Sequence, residues 1–107
     1  MALCALAVTS ATRSQMFPDV PAMAEVIPGY EASLWDGFGV PRNTPAEIVD
    51  KLDKEINAAL ADPKVKARLA DFGASPMPMA ASEFRDLVDD QTKKWAKVIA
   101  TAGIKVE

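Results

Sequence analysis

Asp50, Asp53 and Glu55 bring three carboxylates close together in the sequence, and Cys4 is the one thiol, set in the apolar run ALCALAV. Neighbouring carboxylates do acid/base work when their surroundings push their pKa values apart. Here Lys51 and Lys54 interleave with them, so the expected role is a solvated helix face. Glu47 with Lys51 and Asp50 with Lys54 would form i,i+4 pairs of about 0.2–0.5 kcal/mol each. Cys4 is expected to be a buried structural thiol, because free cysteine usually packs as a small hydrophobe. A reactive thiolate needs a nearby cation, and the nearest in sequence is Arg13. The chain has no histidine, which removes Ser-His-Asp, Cys-His and common zinc chemistry together. Neither a glycine-rich phosphate loop, a nucleophile elbow nor a metal-ligand spacing is found. No enzyme activity, cofactor or metal is expected.

The bulk composition places these residues in an ordinary globular chain. Of 107 residues, 50% are hydrophobic and 25% charged, enough for one core and not two. A net charge of −3, with 12 basic residues spread among 15 acidic ones, argues against nucleic acid as a partner. No run of about 18 apolar residues is present, so no membrane-spanning helix is expected. The opening MALCALAVTSATRS lacks a basic n-region and its apolar stretch is short, so it is expected to be a strand and not an export signal.

Residues 3–9 are expected as a buried strand, followed by a proline-rich loop. Pro18 and Pro21 fix their own φ. Pro21 would open a short helix to about Val26, capped near Asp19 or Val20, and IPGY would end it. Residues 30–40, YEASLWDGFGV, alternate imperfectly and slip at Asp36 and Gly37, as in a strand with a bulge. TPAE at 44–47 reads as a capping box, with Thr44 as cap, Pro45 at the first helical position and Glu47 reaching back. Ile48, Val49, Leu52, Ile56, Ala59 and Leu60 then form one stripe. Asp62 and Pro63 start a second helix carrying Val65, Leu69 and Phe72, which Gly73 closes in a left-handed conformation. ASPMPMA is expected to be an extended strap or edge strand. A last helix from about Ser82 to Ala102 bears Phe84, Leu87, Val88, Gln91, Trp95, Val98, Ile99 and Ala102 on one stripe. That stripe is read as core, with a ligand groove at Trp95 as the other reading. Gly103 ends it, and IKVE would add a short strand.

The ordered segments LAVTSATRS, FPDVPAMAEV-IPGYE, SLWDGFGVPRNTP, IVDKLDKEINAALADPKVKARLADFGASP and EFRDLVDDQTKKWAKVIATAGIKVE resemble the C-terminal third of the Bug family. These are the TctC-type substrate-binding proteins of tripartite tricarboxylate transport systems. The resemblance implies an α/β fold, a helix-rich C-terminal fragment of a two-lobed periplasmic solute-binding protein with three main helices plus short strands. It implies that residues 1–29 end the second lobe and cross over, and that 30–107 form the C-terminal part of the first lobe, together a single incomplete domain. Trp35, Gly37 and Pro41 match the family pattern at the returning strand, whereas Asp36 replaces an aromatic. Asp19 matches the Asp of the family's LPDVPT segment, and Met23 departs from it. Ala80-Ala81-Ser82 stands where the family has a Thr-Pro cap, which costs about 1 kcal/mol unless Ser82 caps one turn later.

The function implied is a non-catalytic receptor for a small carboxylate or tricarboxylate, working with membrane transporter subunits. In the intact relative, backbone N–H groups and helix N-termini would hold the anion, and Asp19 and Trp35 are the ligand-binding candidates in this chain. Asp19 has turn capping as its other reading, and Trp35 has hinge or core packing. Alone, the chain is expected to bind carboxylates weakly or not at all. The alternative is a stand-alone helical interaction module, its 45–60 and 82–102 stripes pairing with another copy or with a separate N-terminal part. The family implies the periplasm; the sequence as written implies the cytoplasm for this chain by itself.

Overall fold

The structure is a computed structural model that describes residues 3–105. It contains two compact units, Met1–Gly39 and Val40–Glu107.

In the first unit three extended segments lie side by side. The Val8 N–H donates to the Pro21 carbonyl at 2.9 Å, and the Met23 N–H donates to the Val8 carbonyl at 2.9 Å, making one parallel bridge between Val8 and Ala22. Across the other edge, the Ala32 N–H donates to the Thr9 carbonyl at 2.9 Å. The strands expected over 3–9 and 30–40 thus meet, but among the described residues they do not lengthen into a sheet. Pro18, Pro21 and Pro28 supply no ladder donors, and pairing stops within a residue or two of Val8. Ala22, at the bridge, is the buried apolar residue of the described chain, 1% exposed.

The bridge also explains why the short helix is smaller than expected. It holds Ala22 extended, at φ −81° and ψ 143°, so coiling begins only at a 3₁₀ turn, Met23–Glu25. Its cap is Glu25 reaching back to the Ala22 N–H at 2.9 Å, and neither Asp19 nor Val20. Ile27-Pro28-Gly29-Tyr30 then reverses the chain, with Gly29 at φ +80° and the Tyr30 N–H donating to the Ile27 carbonyl at 3.1 Å. Proline followed by a left-handed glycine is the type II arrangement.

An ion pair ties the loop before Ala22 to the 3₁₀ turn after it. Arg13 donates from Nε and Nη2 to the two Glu25 oxygens, both at 2.8 Å, and from Nη1 to the Pro18 carbonyl at 3.3 Å. These hydrogen bonds from Arg13, with the one from Ala22, lower the Glu25 pKa to about 2. The same pairing raises that of Arg13, with a further contribution from the charge of Asp19. Both side chains remain about half exposed, 48% and 43%, so solvent screens the pair.

The second unit is three helices: α1, Ala46–Ala61; α2, Pro63–Asp71; and α3, Ala81–Ala102. The capping box expected at TPAE does not form. Thr44 spends its hydroxyl on the Pro41 carbonyl at 2.8 Å, in a turn where Asn43 sits at φ +70°, and Pro45 becomes the cap position itself. Asparagine tolerates that left-handed conformation better than most residues. By contrast Asp62 caps α2 as expected, accepting from the Lys64 and Val65 N–H groups at 2.7 and 3.3 Å. Both helix stops also form as expected. Gly73, at φ +74°, donates to Ala70 while Ala74 donates to Leu69; Gly103, at φ +64°, and Ile104 do the same with Ala100 and Ile99. This is the paired hydrogen-bond pattern of the Schellman motif.

At the start of α3, Glu83 accepts the Ala80 N–H at 2.8 Å, so the helix begins at Ala81 and Ser82 caps nothing. The 74–80 segment is an extended strap without strand pairing, and Asn57 anchors it, its Nδ2 donating to the Met79 carbonyl at 3.0 Å. Helix α1 packs against both α2 and α3. Val49, Ile56 and Leu60 on α1, and Phe84, Leu87, Val88 and Gln91 on α3, are half-buried.

Four further expectations change. Cys4 is exposed, because the bridge at Val8 does not extend back to cover it. The core stripe of α3 covers only its first half, since Trp95, Val98 and Ile99 are 38%, 43% and 42% exposed. Among the described residues, neither Glu47–Lys51 nor Asp50–Lys54 closes to ion-pair distance; Arg68 and Asp71 stand at 4.0 Å, both largely exposed. The strand expected at IKVE falls partly outside the described residues, and Ile104 and Lys105 are not in one.

Two outcomes follow for stability. Asp62→Ala leaves two first-turn donors of α2 without a side-chain acceptor and should cost about 1 kcal/mol, whereas Ser82→Ala should cost nothing; urea unfolding followed by far-UV circular dichroism measures both. Glu25 has a depressed pKa, so its stabilising pairing is complete above the ordinary carboxylate range and fades as pH falls from about 4.5 towards about 2. Carbon-detected titration of the Glu25 carboxyl should give a midpoint near 2, and a midpoint in the ordinary range would contradict the ion pair.

Candidate functional site

Asp19 lies in the second of two consecutive turns, in which the Phe17 N–H donates to the Ser14 carbonyl at 3.1 Å and the Val20 N–H donates to the Phe17 carbonyl at 3.0 Å. Its side chain is exposed, and its charge acts on Arg13. Arg13 is the sole cation in the first thirty residues. Because the guanidinium already grips Glu25 and Pro18, it serves the loop as a staple. An anionic ligand approaching Asp19 would meet a like charge, so Asp19 suits a ligand hydroxyl or N–H donor better than a carboxylate.

Trp35 lies on the 30–40 segment, beyond the type II turn and the Ala32–Thr9 hydrogen bond that fixes where the segment starts. Its side chain is half-buried, while Leu34 and Phe38 beside it are 93% and 80% exposed. The structure therefore groups Asp19 with Arg13 and Glu25, and sets Trp35 on a separate segment of the same unit with an open apolar surface around it. Hydroxyls of the loop before Asp19 are engaged with nearby backbone. Ser10 Oγ donates to the Thr12 carbonyl at 2.8 Å, and Ser14 Oγ accepts the Met16 N–H at 3.2 Å.

Sequence reasoning missed two features that organise these units, the Arg13–Glu25 pair and Asn57. Arg13 and Glu25 are twelve positions apart, and the available signal was a single cation among two acids in an otherwise uncharged stretch. Asn57 is the second feature. It lies four residues after Asp53 on the side of α1 that is half-buried, and its amide also donates to the Asp53 carbonyl and carboxylate at 3.0 and 3.3 Å. A polar i,i+4 pair on an inner helix face was the signal.

The carboxylates that opened the question form no acid/base pair. Asp50 and Glu55 are exposed, and Asp53 is engaged by Asn57. Among the described residues, no three His, Cys, Asp or Glu side chains converge as metal ligands. In the second unit a depression of about 310 Å³ runs along Lys97, Val98, Thr101 and Ala102, one open face of α3. One helix face encloses nothing; pockets that hold small ligands bury most of the ligand surface.

The comparisons with known proteins agree with one another. The pattern of TctC, described as "Tripartite tricarboxylate transporter family receptor", matches residues 2–104. A protein of Pseudomonas sp. strain P51, described as the "UPF0065 protein in tcbD-tcbE intergenic region", is 38% identical over 97 residues, covering 89% of this chain and 29% of that protein. Protein BugT of Bordetella pertussis is 36% identical over 106 residues, covering 98% of this chain and 32% of BugT. A solved structure, R. palustris Rpa4515 with adipate, is similar over 92% of this chain and 33% of its own, with a TM-score of 0.80 and 37% identity. The chain thus spans about a third of the length of these relatives. It has the helix-rich architecture of that third of a solute-binding protein, and among its described residues no helix is long and apolar enough to cross a membrane. Matched from residue 2 to residue 104, with one fold and more than a third identity to a solved member, the chain belongs to the TctC family of tripartite tricarboxylate transporter receptors.

Proposed function

We propose that this chain is a portion of a solute-binding receptor that presents a small carboxylate or tricarboxylate to the membrane subunits of a tripartite transporter, without catalysis and outside the cytoplasmic membrane. The observation that carries this reading is the match along nearly all of the chain to the receptor family, together with 37% identity to a structure holding adipate. In this reading residues 1–29 end the second lobe and cross over, and residues 30–107 belong to the first lobe. Asp19 and Trp35 face the cleft between the lobes. Trp35 supplies an apolar wall for a methylene chain, and Asp19 accepts from a polar group of the ligand or of the opposite wall.

Two lobes closing on a ligand are what bury it. A chain of about one third of a receptor's length holds only part of either wall, so the isolated chain is a poor binder. A second reading, a stand-alone helical interaction module that pairs with another copy, draws on the exposed Trp95, Val98 and Ile99. A monomeric mass at high concentration counts against that one.

The test is an amide proton–nitrogen correlation spectrum titrated with adipate, citrate and succinate. The isolated chain should show no saturation below about 10 μM, equivalent to about −7 kcal/mol. At millimolar ligand the largest shifts should fall at Asp19, Trp35 and their neighbours. Tight saturable binding would overturn the partial-site reading, and shifts confined to the α1 and α2 termini would overturn the assignment of those two residues.

A further inference from the structure

Asp36 and Gly37 mark the slip in the alternation of the 30–40 segment, and the structure makes no bulge of them, because the segment joins no strand there. Both residues are exposed. Among the described residues neither makes a backbone hydrogen bond, and the Asp36 carboxylate has no ion-pair or hydrogen-bond partner. No contact of their own would have to break before this dipeptide changes shape.

The backbone nitrogen that follows an aspartate is within reach of its side-chain carboxyl, and the two react when that nitrogen is unengaged and the following residue leaves room for a ring. Glycine leaves the most room, since it has no Cβ and its backbone turns most freely. The other aspartates and asparagines of the chain fail the first condition. The N–H groups of Val20, Thr44 and Phe72, which follow Asp19, Asn43 and Asp71, already donate to the Phe17, Pro41 and Leu69 carbonyls at 3.0, 3.2 and 3.0 Å. Asp62 precedes Pro63, whose nitrogen carries no hydrogen. The rest lie inside α1 and α3, where the following N–H groups serve the helix ladder. Gly37 meets both conditions.

We propose that Asp36 and Gly37 form a spontaneous modification site, at which the folded chain converts aspartate to isoaspartate. With the Asp36 carboxyl in its acid form, the Gly37 nitrogen bonds to Cγ, and the hydroxyl leaves with the nitrogen's proton as water, closing a succinimide ring. Water then adds back at one of the two ring carbonyls. Opening at Cγ restores Asp36. Opening at the Asp36 main-chain carbonyl carbon sends the backbone through Cβ and Cγ and leaves the α-carboxylate as the side group. Water is released and taken up again, so no oxidant or other co-reactant is required. The product keeps its negative charge and lengthens the main chain by a methylene directly after the half-buried Trp35. Its new carboxylate is the chemical class that isoaspartyl methyltransferases esterify. The inference stands apart from the receptor reading, since it uses the 30–40 segment alone.

The experiment keeps the folded chain at neutral pH, withdraws samples over time and digests them with trypsin. Isoaspartate is then read by methyl uptake from an isoaspartyl methyltransferase and placed by mass spectrometry with electron-transfer fragmentation. No Lys or Arg lies between Arg13 and Arg42, so one peptide, residues 14–42, carries both Asp36 and Asp19, and Asp19 serves as the internal control. Isoaspartate at Asp36 should exceed that at Asp19 by about tenfold or more, and a succinimide lighter by one water should precede it. Gly37→Ala should slow the conversion about tenfold, with far-UV circular dichroism checking that the variant folds. A second measurement needs no variant. A synthetic peptide of residues 33–41 should convert less than about tenfold faster than the folded chain, because folding leaves the Gly37 nitrogen unengaged. Protection of the folded chain by about tenfold or more would overturn the proposal. So would isoaspartate shared equally between Asp19 and Asp36, or an unchanged rate in a folded Gly37→Ala variant.

Discussion

Helix α1 is the element on which the Val40–Glu107 unit depends. Both other helices contact it, and its Asn57 amide holds the strap that carries the chain from α2 to α3. Val49, Ile56 and Leu60 give it an apolar side, and burying such a side is what stabilises short helices in water, where a helix of about this length is marginal alone. Local devices then fix where each helix begins and ends. Asp62 separates α1 from α2 within a single residue, and the left-handed Gly73 and Gly103 stop α2 and α3 with both stop hydrogen bonds made. The result is three well-bounded helices around one interface. That interface is too small to bury any of their side chains completely.

The Met1–Gly39 unit is held by different means. Among its described residues it has one backbone bridge, one type II turn and one bidentate ion pair, and it buries a single alanine. Polar ties of this kind set geometry more than they supply stability, because exposed ion pairs contribute little. Its extended segments are those of a sheet that has few neighbours within this chain. Relatives such as BugT are about three times as long as this chain.

What was legible in the sequence follows the range of each interaction. Asp62-Pro63, Gly73 and Gly103 act over one turn, and their residue types announce them. The stripes of α1 and α3 were legible through their period, although the sequence could not show that α3 outruns its partner. Thr44 misled, because a threonine before Pro-Ala-Glu looks like a cap whether or not a turn at Asn43 has already claimed its hydroxyl. Strand length misled for a related reason. The apolar run at 3–9 and the imperfect alternation at 30–40 report a tendency to pair, and the extent of pairing depends on neighbours outside the window. Arg13 with Glu25, and Asn57 with Met79, are contacts across twelve and twenty-two positions that no local pattern encodes. The candidate site is the least legible part. Asp19 and Trp35 were marked by resemblance, and the structure adds that Asp19 shares its surroundings with an engaged arginine while Trp35 sits amid exposed apolar side chains.

The central claim is the proposal that this chain carries part of a two-walled carboxylate site. Calorimetric titration of adipate into an equimolar mixture of this chain with the unmatched two thirds of Rpa4515, compared with titration into each part alone, tests it most directly. Saturable binding in the mixture and in neither part is the result this account predicts. Equal binding by the isolated chain, or none in a mixture shown to be associated, would contradict it.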